Sequence, residues 1–389
     1  MTTGTSHLRP DPHAHPAPHP GPTLSSGTGP APFPGIGPAP FPGIGPAPFP
    51  GIGPAPFPGI GHAPSPGTGH APSHHGELLQ GVFLDADGRP RAGLVTLPVD
   101  APGTRADFTP RPGTPPDAVA VVPGGRTKAA RAARFAVALC AERTGRPACG
   151  GTLRLAGGVP LGLGMGSSTS DVLASVRAVA DAYGLRLDAA TTARLAVRAE
   201  RASDPLMLDA RPVLFAQREG RVLEVLGAAL PPLLVVGCLL GGGAAVDTLG
   251  LPAPAATGAE LRAYARLREQ LRRAVADGDP ALLGRVATAS ARRAQRVLKH
   301  REFEELVALA RRTGAVGVQI SHSGSVAGVL HDPAVPGAEA RADATRRALD
   351  ASRIPYTRTF TVGGDLNSPR IKPSPGGGYF WTAKGCSLH

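Results

Sequence analysis

Pro160-Leu161-Gly162-Leu163-Gly164-Met165-Gly166-Ser167-Ser168-Thr169-Ser170-Asp171 is the stretch whose reading decides the fold. Thr152–Leu155 before it has the apolar pattern of a strand. After it, Val172, Leu173, Val176, Val179 and Ala180 share one face of a helix expected over Thr169–Tyr183. A strand, a glycine-rich loop and a helix N-terminus together make a phosphate site. The glycines let backbone amides approach an anion, and the first helical turn adds free N–H groups and the positive end of its dipole. Ser167, Ser168 and Thr169 contribute hydroxyls for phosphate oxygens or a hard cation, while Asp171 either fixes the loop or reaches the metal. The bland alternative is a serine-capped helix after a flexible loop. No Gly-Lys-Ser/Thr follows, so the loop is not a Walker A motif. The chain also has no His-Arg-Asp or Asp-Phe-Gly triplet of a protein kinase.

Working outward, strands are expected near Leu79–Phe83, Gly93–Leu97, Ala118–Val122, Pro212–Gln217 and Pro232–Leu239, and again near Val316–Ser321, Val326–Leu330 and Tyr356–Val362. Helices are expected at Lys128–Arg143, at Ala189–Ala202 with Asp188 as N-cap, three times between Gly258 and Arg312, and at Ala338–Ala351. Strands with helices on one side, without a strict βαβ repeat, read as α+β in two lobes that meet near Gly227–Pro231.

Residues 1–69 read differently. The unit Gly-Pro-Ala-Pro-Phe-Pro-Gly-Ile starts at Gly29 and recurs at Gly37, Gly45 and Gly53. Proline removes amide donors and glycine raises the entropy cost of ordering, so this segment reads as an extended, disordered arm. Its Phe-Pro repeats would suit a proline-reading partner, or they form a neutral spacer. Eight of the twelve histidines lie in the first 75 residues, where an unordered arm cannot fix metal geometry.

The net charge is +12, and only Lys128, Lys299, Lys372 and Lys384 are lysines among the basic residues. Arginine forks well onto phosphates. Nucleic acid is excluded as a partner, since no zinc-finger spacing, aromatic RNA-binding signature or basic tail is present. Cys140, Cys149, Cys238 and Cys386 include no Cys-x-x-Cys pair, which argues against zinc and for reduced thiols. The longest apolar run, Leu233–Leu240, falls far short of the roughly 20 residues of a membrane span. With no apolar signal core, a cytoplasmic protein is expected.

The central loop resembles the second motif of the GHMP kinases, Pro-x-x-x-Gly-Leu-Gly-Ser-Ser-Ala. Gly164-Met165-Gly166-Ser167-Ser168-Thr169-Ser170-Asp171 is closer still to the L-threonine kinase variant, Gly-Met-Ala-Ser-Ser-Thr-Ala-Asp. Gly76-Glu77-Leu78-Leu79-Gln80-Gly81 is similar to that group's opening motif, and Ser321-His322-Ser323-Gly324-Ser325-Val326-Ala327-Gly328 to its third. The resemblance implies the two-lobed GHMP kinase fold: a ribosomal-S5-like N-terminal lobe over 70–228 and a ferredoxin-like C-terminal lobe over 229–389 with an irregular tail.

It also implies ATP and Mg²⁺, with L-threonine as acceptor and O-phospho-L-threonine supplied to cobalamin biosynthesis. Homoserine or another small alcohol is the alternative acceptor. A degenerate nucleotide- or partner-binding module is the alternative to an enzyme. Pro160, Gly162, Gly164, Met165, Gly166, Ser167, Ser168 and Thr169 would then surround the phosphates. Ser168 and Glu200 would hold Mg²⁺, and Asp204 would face the acceptor, with Asp209 in reserve. Glu77, Gln80, Ser323, Gly324 and Ser325 would bind the acceptor. His322 would orient a neighbouring loop, and Asp247-Thr248 would border the pocket. Relatives read Glu-Pro-Ser/Thr-Asp where this chain has one more residue, Glu200-Arg201-Ala202-Ser203-Asp204.

Overall fold

A computed structural model describes residues 63–157, 162–208, 211–243 and 257–363. Strand β1 (Gly67–Leu84) turns back into β2 (Pro90–Pro110), and β3 (Val119–Val122), α1 (Thr127–Thr144) and β4 (Gly151–Gly157) follow. The glycine loop then leads into α2 (Ser167–Ala182) and α3 (Ala189–Glu200). A hairpin, β5 (Val213–Ala216) and β6 (Arg221–Val225), precedes β7 (Leu233–Leu239). Helices α4 (Gly258–Ala276), α5 (Pro280–Ala294) and α6 (Phe303–Arg312) lead to β8 (Gly317–Ile320), β9 (Val326–His331), α7 (Ala338–Ala351) and β10 (Tyr356–Val362). Asp188 caps α3 as expected, its carboxylate accepting from Thr191 N at 2.7 Å.

The two halves share one sheet in the order β10-β7-β9-β8-β1-β2-β4-β3, with β5 and β6 branching from β2. β3 and β4 pair in parallel, and the other pairings are antiparallel. The seam between the halves is the pairing of Glu77 on β1 with Ile320 on β8.

Three apolar clusters hold the layers together. The first sets α1 and α2, through Ala132, Ala136, Leu173 and Val176, against Phe108 and Leu153 of the sheet. Leu173 is fully buried, and truncating such a residue to Ala costs about 2–5 kcal/mol. The second joins Leu78, Leu79 and Leu97 of the N-terminal half to Tyr264, Leu271 and Leu283 of α4 and α5. The third packs α6 and α7 on β7, β8 and β9.

The arm expected over 1–69 lies outside the described residues as far as 62. Residues 67–69 correct its boundary, because they open β1 rather than end a tail. The reason is steric. A Cβ on Gly67 would lie 2.3 Å from Ala182 N, and one on Gly69 would lie 2.2 Å from Ala174 O. These glycines let the strand cross the α2 backbone at close range. β1 and β2 are accordingly much longer than the expected Leu79–Phe83 and Gly93–Leu97. β6 was not expected; three of its five residues are exposed. Cys140 and Cys238 are buried thiols, and burial pushes them up to about 11 and about 12. No helix among the described residues is long and apolar enough to cross a membrane.

Candidate active site

The glycine loop is shaped by backbone geometry that few residues other than glycine adopt. Gly162, Gly164 and Gly166 have φ of 78°, 84° and 70°. Leu163 and Met165, between them, point into an apolar cluster with Leu239 and Val326. Met165 therefore anchors the loop instead of facing the cleft. Leu163 O accepts from Val326 N at 2.9 Å, and Met165 O accepts from His74 N at 3.2 Å. These contacts fasten both sides of the loop to the sheet.

Gly166 is the N-cap of α2, and no side chain among the described residues caps that helix. The amides of Ser167, Ser168 and Thr169 thus form an uncapped first turn suited to an anion. Across the opening stands the start of α1, with Arg126 and Lys128 lining the same cleft. Asp171 fixes the wall between them, accepting from Thr104 Oγ1 at 2.7 Å and pairing with Arg126 at 2.6 Å. Its partners lie on β2 and just before α1, outside the glycine loop that Asp171 was expected to fix. Lys128 was noted only as a lysine in the sequence; its place in the first turn of α1 was the available signal.

The hydroxyls of α2 meet two carboxylates. Ser168 Oγ donates to Glu200 Oε2 at 3.0 Å, and Thr169 Oγ1 lies 3.0 Å from Glu200 Oε1 and 3.3 Å from Asp204 Oδ2. Glu200 is only 5% exposed, unlike a charge on an open helix face. The extra residue after Glu200 is absorbed at Arg201, which closes α3 in the left-handed region (φ 71°) and turns the chain. Glu200 and Asp204 thereby reach the same threonine despite the altered spacing.

Their proton affinities diverge. Burial, with repulsion from Asp204, pushes Glu200 up to about 7, although Lys128 and the two hydroxyls work the other way. Burial would also raise Asp204, but the charge and hydrogen bond of His74, assisted by His322 and Thr169, bring it down to about 2. His74 Nε2 lies 3.0 Å from Asp204 Oδ2, and its Nδ1 lies 3.4 Å from Gly76 O. Burial acts to lower His74, yet Asp204 and Glu77 outweigh it and leave the ring raised. His74 was missed in the sequence because it reads as one more histidine beside the arm.

His74, Glu77 and Asp204 each place a possible ligand atom within 4.8 Å of the others. The 3.0 Å His74–Asp204 contact and the raised ring favour a proton there over a metal ion. Ser168 and Glu200, by contrast, are hard oxygen donors beside a second carboxylate. The buried like-charge pair is the kind of site a divalent cation relieves.

The third motif divides its roles. Ser321, His322 and Ser323 line the cleft. Gly324 instead braces the glycine loop: a Cβ there would lie 2.2 Å from Leu163 C. Ser325 is buried away from the cleft at 2% exposure. Glu77 is likewise buried, its Oε2 accepting from His322 N at 2.6 Å and its Oε1 lying 2.9 Å from His322 Nδ1. It supports His322 and does not line the opening. Gln80 does line it, with its amide donating to Ile320 O at 3.2 Å. Pro160, Asp209 and Asp247-Thr248 lie outside the described residues. The cleft encloses about 560 Å³, which suits a nucleotide phosphate group and a small acceptor.

The comparisons agree with this fold. Residues 129–215 match the GHMP kinases N terminal domain and residues 267–350 the GHMP kinases C terminal domain. Both halves of the chain thus match family models of the GHMP kinases, and its fold is the GHMP kinase fold. An L-threonine kinase of Citrobacter freundii is 30% identical over 177 residues, which is 45% of this chain and 60% of that protein. The match thus spans less than two thirds of the relative. A homoserine kinase structure from Cytophaga hutchinsonii superposes with a TM-score of 0.55 at 17% identity, over 77% of this chain and 94% of the other. A structure described as MDDEF in complex with MVAPP, AMPPCP and magnesium superposes with a TM-score of 0.52 at 16% identity, over 77% and 98%.

Proposed function

We propose that the chain is an ATP- and Mg²⁺-dependent kinase of a small hydroxy-amino acid, with L-threonine as acceptor and O-phospho-L-threonine as product. The observation that carries the reading is the arc Ser168–Glu200–Thr169–Asp204 at an uncapped helix N-terminus. The three threonine-kinase-like motifs and the 30% identical relative support the choice of acceptor. Such a product would serve cobalamin biosynthesis, as the resemblance implies.

In this reading the first turn of α2 and Lys128 bind the phosphates of ATP. Ser168 and Glu200 hold Mg²⁺, which when bound offsets charge on the phosphate oxygens. Asp204 accepts a hydrogen bond from the acceptor hydroxyl and aims its oxygen at the γ-phosphorus. The bond from that oxygen to phosphorus forms as the bond to the ADP oxygen breaks, and the hydroxyl proton leaves by way of Asp204 or solvent. A carboxylate held near 2 by His74 is a weak base, so Asp204 acts mainly through orientation and charge, and proton loss is late.

The test is ADP release from purified protein with ATP and Mg²⁺, and L-threonine, L-serine, L-homoserine or no acceptor. Threonine-dependent release that Asp204→Asn abolishes is the expected result. Release with a different acceptor alone would discard threonine and keep the kinase.

A further inference from the structure

The loop between β8 and β9 carries a histidine that the phosphate-transfer chemistry leaves unused. His322 lines the cleft. Its backbone N–H and its ring Nδ1 are both taken by the buried carboxylate of Glu77. Glu77 is itself set in place by the β1–β8 seam. Ring orientation is therefore fixed from behind, and Nε2 has no partner among the described residues.

The charges around Asp204 fall into two groups. Glu200 senses Asp204 and Lys128, at the end where α1 and α2 face each other. His322 senses Glu77 and Asp204. The contacts run in the same order: Asp204 Oδ2 lies 3.3 Å from Thr169 Oγ1, which also reaches Glu200, and 3.0 Å from His74 Nε2, whose Nδ1 lies 3.9 Å from the Glu77 oxygen that holds His322. Asp204 and His322 line the same cleft, so an acceptor whose hydroxyl sat on Asp204 would find His322 on the side away from Ser168 and Glu200. In a β-hydroxy-amino acid, one carbon separates the hydroxyl-bearing carbon from the carboxylate, so an anion falls within a few ångströms of that hydroxyl.

We propose that His322 receives the α-carboxylate of the acceptor through Nε2–H, with Glu77 as the positioning residue that holds the ring. The assignment rests on the hydroxy-amino-acid reading above and specifies how that class is recognised. Charge supports it. Burial works against an imidazolium, but the charge and hydrogen bond of Glu77, with Asp204 behind, carry the ring up to about 9. Charge-assisted hydrogen bonds of this kind are the strong ones in a partly desolvated cleft.

The experiment compares L-threonine with L-threoninol, in which a hydroxymethyl group replaces the carboxylate. It uses the full chain and its His322→Gln and Glu77→Gln variants. Wild type is expected to favour threonine over threoninol in kcat/KM by about ten- to a hundredfold. His322→Gln should erase that preference by raising the KM for threonine far more than that for threoninol, leaving the KM for ATP within about twofold. Glu77→Gln should move the same ratio in the same direction. The unchanged KM for ATP reports a folded site. Should a variant fail to fold, the wild-type ratio of the two acceptors decides alone. Equal use of both acceptors by wild type, or equal loss of both in His322→Gln, overturns the proposal while leaving the kinase reading intact. A shift in the KM for ATP instead would assign the ring to a nucleotide phosphate and also overturn it. No turnover of any hydroxy-amino acid by wild type would remove both readings together.

Discussion

His74 and Asp204 are 130 residues apart in the chain and meet at 3.0 Å with both side chains buried. The imidazolium outweighs the desolvation that would otherwise raise the carboxyl, and Asp204 stays ionised down to about pH 2. Replacing His74 by Ala removes the charge and leaves the burial. Asp204 should then titrate higher, so the acidic limb of the kcat profile moves to higher pH and kcat falls about ten- to a hundredfold. A pH–rate profile of H74A that overlays wild type would mean that the pair has no bearing on catalysis.

Glu200 behaves in the opposite sense. Its unfolded-state value is near 4.5, and burial beside Asp204 raises the folded value to about 7. The folded state then binds the extra proton. The penalty is absent below pH 4.5, grows between 4.5 and 7, and is complete above 7, where it amounts to roughly 3 kcal/mol. Glu200→Gln, which mimics the neutral acid, should stabilise the metal-free protein at pH 8 and change it little at pH 4.5, while abolishing kinase turnover. Urea denaturation in EDTA at the two pH values checks this; equal stability changes at both would contradict the buried-charge account.

Arg201 is one of two non-glycine residues with positive φ among those described. Glycine adopts that conformation without the Cβ penalty, which is about 1 kcal/mol, so Arg201→Gly should hold or slightly raise the melting temperature. Arg201→Val should lower it by several degrees and lower kcat, because the turn that brings Glu200 and Asp204 together is then strained. Retained kcat in the valine variant would show that the left-handed turn does not set the spacing.

Gly324 touches the backbone of Leu163 and Gly164. Gly324→Ala has no side chain to push aside and must displace the phosphate loop. The KM for ATP should rise by about tenfold or more, while the acceptor KM moves less. A variant crystal structure with the loop unmoved would sink this account.

The loop and its following helix were legible in the sequence because glycine, hydroxyl and apolar periodicity act locally. Ser168 was legible as one of that loop's hydroxyls, whereas Glu200 and Asp204 were named from the family resemblance of the run Glu200-Arg201-Ala202-Ser203-Asp204. His74 was not, since nothing local separates it from the histidines of the neighbouring arm. Its meaning comes from a partner on the far side of α3. Glu77 and Gly324 were legible as motif residues but not as supports. Which face of the sheet each one addresses depends on pairings between distant strands. The first part of β1 and the later part of β2 lack strand-like composition. Gly67, Gly69 and Pro72 are there because α2 passes close and the pairing is irregular near Pro72.

Glu77 emerges from a ribosome long before the residue that satisfies it. His322 lies 245 residues further on, a delay of about 12–50 s at ordinary synthesis rates. Until then the carboxylate has no His322 to hold. Leu78, Leu79 and Leu97 likewise wait for α4 and α5 to cover them. The nascent N-terminal half therefore carries an open apolar face through most of translation, a natural client for chaperones. Splitting the gene between the two family domains should yield two insoluble fragments instead of two folded ones.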